Sequence, residues 1–95
     1  MNKYESLYII TPELDEEATK AVVEKFADIV KKNGGEVEKV DEWGKRRLAY
    51  PIDYKTEGYY VLMLFAGESA LPSELERNFK NDESIMRYVV IRKDA

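Results

Sequence analysis

Lys45, Arg46 and Arg47 follow one another in the stretch EWGKRRLAYPI, residues 42 to 52, with Trp43 and Tyr50 close by in sequence. Guanidinium groups are planar forks that match phosphate oxygens, and aromatic rings offer faces on which unpaired bases stack. These residue types suit nucleic acid. Arg87, Arg92 and Lys93 form a second basic group near the C-terminus. A structural role competes with the first reading: cations along the rim of a sheet keep it from pairing with other chains.

Other chemistry finds few residues to work with. The chain has no histidine and no cysteine, so catalysis would fall to carboxylate, lysine, tyrosine or serine. Without cysteine there is no disulfide framework, thiolate nucleophile or cysteine-ligated zinc. Asp15, Glu16 and Glu17 crowd together, but the start of a helix favours negative charge, which explains them without a metal or a reaction. No glycine-rich phosphate cradle is present. No catalytic residue, metal or cofactor is therefore expected.

The elements that must position the basic groups are legible from periodicity. Lys3 to Ile10 reads as a strand stopped by Thr11 and Pro12. Leu14, Ala18, Val22, Phe26, Ile29 and Val30 recur at helical spacing, with acids at the start, Lys31 and Lys32 at the end, and Asn33-Gly34-Gly35 as a stop. A strand from Glu36 to about Glu42 bends at Trp43 and Gly44 and continues through Arg47 to Ile52. Residues 53 to 58 have turn chemistry, and Tyr59 to Ala66 reads as a central strand. Ser69 is placed to cap a second helix with the stripe Leu71, Leu75 and Phe79, and residues 85 to 92 make a last strand.

The order β α β β α β predicts an α+β, ferredoxin-like (split βαβ) arrangement: a four-stranded antiparallel sheet with two helices on one face and the first and third strands at its centre. At 95 residues the chain fits one domain, residues 1–95. No signal peptide and no stretch of 18 or more apolar residues is visible, so a soluble, intracellular protein is expected. The formal net charge of −4 disfavours a general nucleic-acid coat, but screening beyond about 8 Å leaves contact to local charge.

Two helices leave one sheet face uncovered, and in this sequence that face is apolar. Whichever phase the strands take, a set such as Leu7, Ile9, Tyr60, Leu62 and Leu64 points away from the helices, joined by Ala49, Val89 and Ile91. A patch of several hundred Å² follows, more than scattered surface residues explain. Either the C-terminus or a second copy covers it, or it docks another protein.

Several uses of this fold are open to comparison. Acylphosphatases hold a phosphate beside the first helix, where this chain has the acidic TPELDEE, which repels anions. An RNA-recognition-motif module carries aromatics on its third strand; EGYYVLMLF keeps Gly58 and Tyr59 but lacks the preceding cation and the later aromatic spacing. An ACT-type regulatory domain dimerises through the same topology, and gives no reason for GKRRLAYPI.

Tyr4-Glu5, the helix ending in NGG, VEKVDEWGKRRLAYPI, Gly58-Tyr59-Tyr60 and the final RYVVIRK together closely resemble the bacterial small ribosomal subunit protein six family, over essentially the whole chain. The resemblance implies a non-catalytic, cytoplasmic, ribosome-associated protein that binds the central domain of 16S ribosomal RNA as a heterodimer with small-subunit protein eighteen, supporting 30S assembly and translation. By position, Lys3, Tyr4, Lys45, Arg46, Arg47, Arg87, Arg92 and Lys93 are candidate RNA contacts, and Leu7, Ile9, Ala49, Tyr60, Leu62, Leu64, Val89 and Ile91 candidate partner contacts. Three to five phosphate contacts give a salt slope of about −2 to −4.5 in log K, modest for a protein holding RNA alone. Some relatives carry a long acidic C-terminal tail open to extension with glutamates; this chain stops at Lys93-Asp94-Ala95, so that modification is not expected.

Overall fold

Alternating burial sets the faces of the first strand. In the computed structural model, which describes residues 1–52 and 54–93, β1 (Asn2–Ile10) buries Tyr4, Ser6, Tyr8 and Ile10, all on one side. α1 (Glu16–Lys32) follows, then β2 (Glu36–Ile52), β3 (Lys55–Gly67), α2 (Leu71–Asn81) and β4 (Ile85–Arg92). The sheet is antiparallel in the order β2-β3-β1-β4, with the two most apolar strands at its centre as the sequence predicts.

The helices cover the side that holds Tyr8. Val22, Phe26 and Val30 of α1 and Leu71, Leu75 and Phe79 of α2 meet Tyr8, Ile10, Val61, Met63 and Phe65 in one cluster. Phe26 and Phe79 stack at 4.3 Å between ring centroids, and Tyr8 packs on Phe79 at 4.9 Å. Asp15 caps α1 by accepting from the Ala18 amide at 2.7 Å. Gly34, at φ +80°, takes the chain out of the helix in the left-handed region, where glycine is not strained.

Three expectations change. α2 begins after Ala70 with no side-chain cap: the Leu71 amide donates to the Glu68 carbonyl at 3.0 Å, so Ser69 sits inside a closed turn, one residue too early. Residues 55 to 58, expected as turn, already belong to β3 because Arg46 and Arg47 of β2 pair with Gly58 and Glu57; Asp53 of that stretch lies outside the described residues, as do Asp94 and Ala95 of the expected chain end. Simple alternation along the strand that continues to Ile52 would send Leu48, Tyr50 and Ile52 to one side together, but Leu48 is buried and Tyr50 exposed. No described helix is long and apolar enough to cross a membrane.

Candidate functional site

Cross-strand pairing arranges the face away from the helices in rows. Leu62, Leu7 and Val89 lie side by side on β3, β1 and β4, with Asp41 of β2 at the end of the row. The next row is Lys39, Leu64, Glu5 and Ile91. Val89 and Ile91 are about half exposed, at 53% and 47%, and Leu7, Leu62 and Leu64 are half-buried. Five aliphatic side chains thus form an uncovered strip across the sheet, as the strand phases require once Tyr8, Val61 and Met63 enter the core.

Charged and aromatic groups bound this strip at both ends. At one end Trp43 stacks on Tyr60, with centroids 6.2 Å apart and planes within 8°, and the Arg46 guanidinium lies 5.6 Å from the Trp43 ring. Nearby, Arg87 sits 5.1 Å from the Tyr50 ring and donates to its hydroxyl. At the other end Lys3 pairs with Glu38 at 2.6 Å and Lys93 with Glu5 at 3.5 Å, whereas Arg92, opposite Tyr4, turns to the helix side of the sheet, where its Nη2 donates to Asn2 Oδ1 at 3.0 Å. Arg87 and Arg92 are five strand residues apart, about 17 Å. The basic candidates therefore make two groups rather than one patch.

The bulge at Gly44 sets which of Lys45 and Arg46 faces the helices. The register shifts between Glu42 and Gly44, and Gly44 has φ +82°, a conformation other side chains rarely take. Beyond the bulge Lys45 pairs with Tyr59 and Arg46 with Gly58, so the two cations point to opposite faces. Lys45 lines a cavity of about 370 Å³ together with Asp15, Thr19 and Tyr59, beside the first turn of α1. Tyr59 donates to Glu42 Oε1 at 2.8 Å; burial, then this carboxylate, pushes its hydroxyl above the ordinary tyrosine range. Arg47 is exposed opposite Glu57.

Two candidates lie where they cannot serve as surface contacts. Tyr4, expected near RNA, is 6% exposed and stacks on Phe65 at 5.4 Å, because even-numbered residues of β1 face the helices. Ile9, expected to meet a partner, points away from the helices but is 7% exposed, because Leu48 folds over that part of the sheet. Ala49, beside Leu48, is exposed. Sequence reasoning missed Leu48 as a residue of the open face; the register slip that places it there leaves no mark in hydrophobic alternation.

The profile of the family described as Ribosomal protein S6 matches residues 3–92. The chain belongs to the ribosomal protein S6 family. Its similarity to the small ribosomal subunit protein bS6 of Clostridium novyi is 52% identity over 99% of both chains, and to that of Thermoanaerobacter pseudethanolicus 50% over 99% of both. The crystal structure of 30S ribosomal protein S6 from Thermotoga maritima superposes with a TM-score of 0.93 at 31% identity, covering 97% of this chain and 87% of that one. Membership of the S6 family makes this a structural, non-enzymatic protein of the small ribosomal subunit, and hence of the cytoplasm. The ferredoxin-like sheet is the S6 fold as this sequence builds it.

Proposed function

We propose that the chain, as one domain over residues 1–95, binds the central domain of 16S ribosomal RNA cooperatively, as a heterodimer with small-subunit protein eighteen, and so supports 30S assembly. The observation that carries this reading is the uncovered aliphatic strip of Leu7, Leu62, Leu64, Val89 and Ile91, bounded by arginine at one end and lysine at the other. The strip suits a protein partner, and the basic rims suit phosphate. Few cations are available for RNA on a chain of net charge −4, so a second, basic subunit supplies the remaining attraction.

Two measurements test it. Leu62→Asp should leave the chain folded and abolish co-purification with protein eighteen; undiminished co-purification would refute the docking strip. Binding to a central-domain RNA fragment should be weak for the chain alone at physiological salt and tight once the partner is added. Equal affinity with and without the partner would favour a stand-alone RNA-binding module. A symmetric homodimer that ignores both RNA and partner would favour a regulatory domain of the ACT type.

A further inference from the structure

The second half of β2 is out of step with its neighbour. Between the pairs Arg47–Glu57 and Ile52–Lys55, four residues of β2, 48 to 51, stand opposite Thr56 alone. Surplus residues on one strand must leave the plane of the sheet. Leu48 shows where they go. It is 8% exposed yet stands apart from the helix-side cluster, and a Cβ built on Gly58 would lie 3.5 Å from Leu48 Cδ2 and 3.7 Å from Met86 Sδ while overlapping Ile9 Cγ2.

All four residues belong to the open face. Ile9 pairs with Tyr60, and Gly58 is two residues from Tyr60, so alternation puts them there together. Met86 joins them because the β1–β4 register slips between Ile9 and Ile10, which leaves Met86 without a partner beside Arg87. Leu48 is thus seated in a small second cluster whose floor is the bare backbone of Gly58. Two residues on, Tyr50 reaches Arg87 on β4, the strand at the far edge of the sheet.

We propose that Leu48 and Gly58 are positioning residues: the seating of Leu48 over Gly58 draws residues 48 to 50 across the sheet as a strap and holds Tyr50 against Arg87, fixing a basic and aromatic rim for RNA. The proposal rests on the reading above that the chain meets RNA. A guanidinium held in place loses less freedom on meeting phosphate than one on a mobile side chain. Without the strap, Tyr50 and Arg87 would sit on opposite sheet edges with two strands between them.

The test compares Leu48→Ala, Leu48→Met and Gly58→Ala with the unaltered chain. In the free chain, the NMR signal of the Arg87 Nε–H should shift toward that of a solvated arginine in Leu48→Ala and Gly58→Ala, and return in Leu48→Met. Amide protection at Val61 and Phe26 should stay unchanged, which separates loss of the strap from loss of the fold. In the heterodimer, Leu48→Ala should weaken binding to a central-domain RNA fragment about tenfold and lower the salt slope by about one, as expected for one lost charge-assisted contact. Affinity for the partner without RNA should hold. An unmoved Arg87 signal, or RNA binding and slope unchanged in Leu48→Ala, overturns the proposal. Failure of the unaltered heterodimer to bind the RNA overturns the RNA reading itself, and the rim with it.

Discussion

Arg87 of β4 donates to the hydroxyl of Tyr50 from β2, joining the two outer strands of a sheet in which β3 and β1 lie between them. The contact spans 37 positions of sequence. It divides the open face into a strapped end, with Trp43, Arg46 and Tyr50, and a bare centre of aliphatic rows. A face that would otherwise be one apolar sheet becomes a strip with a defined edge.

The separation of Lys45 from Arg46 should be visible in salt dependence. Arg46→Ala should lower the slope of log K against log salt by about one for RNA binding by the heterodimer. Lys45→Ala, whose side chain lies beside α1, should leave the slope unchanged. Fluorescence titrations at several salt concentrations measure both; equal effects would mean that RNA wraps the helix side too.

Tyr8 carries a second consequence, in stability. Its hydroxyl is fully buried and has no hydrogen-bond partner among the described residues. An unsatisfied buried polar group costs about 1–3 kcal/mol, so Tyr8→Phe should stabilise the protein by up to that amount in urea denaturation. Burial, and then the charge of Glu42, push the Tyr8 hydroxyl well above the ordinary tyrosine range. The folded chain therefore keeps a proton that the unfolded chain releases near pH 10, and stability falls as pH rises beyond it. That alkaline loss should be smaller in Tyr8→Phe.

The aromatic centre of the core should dominate single-residue effects. Phe79 touches Phe26, Tyr8 and Tyr88 with centroid distances of 4.3, 4.9 and 5.3 Å. Phe79→Ala should cost about 3–5 kcal/mol, read from the shift in denaturation midpoint at constant slope. A loss below about 1 kcal/mol would contradict this packing.

Acid should act through Asp82. Burial alone would push its carboxyl up, but Lys25 Nζ at 2.8 Å and the Ser84 amide at 2.8 Å outweigh that and hold it below the usual carboxylate range. A lowered carboxylate stabilises the fold above its unfolded value, near pH 4, and loses that contribution as pH falls through the lower folded value. Asp82→Asn should cost about 1 kcal/mol at neutral pH, since Lys25 is half exposed, and should flatten the acid side of the stability profile. Urea midpoints across that range measure it.

Much of the fold was legible because each element carried its own period. The stripe from Val22 to Val30 and the runs around Tyr8 and Val61 announce helix and strands without help from the rest of the chain. Thr19 and Val23, buried in α1, escaped that stripe because the two helices widen the covered arc. Ser69 failed as a cap because the preceding turn closes through its backbone, a choice local composition does not reveal.

The sequence by itself determined the element order, the central strands, the apolar open face and the basic character of residues 45 to 47, all of which follow from local periodicity and residue type. Tertiary structure alone decided which of those groups are accessible and adjacent. A bulge at Gly44 decided that Lys45 faces the helices and Arg46 the open side, strand parity buried Tyr4, and the four residues opposite Thr56 laid Leu48 over Ile9 and brought Tyr50 to Arg87. Register is a relation between strands, so a one-residue slip reassigns every later side chain while leaving the sequence pattern of each strand intact.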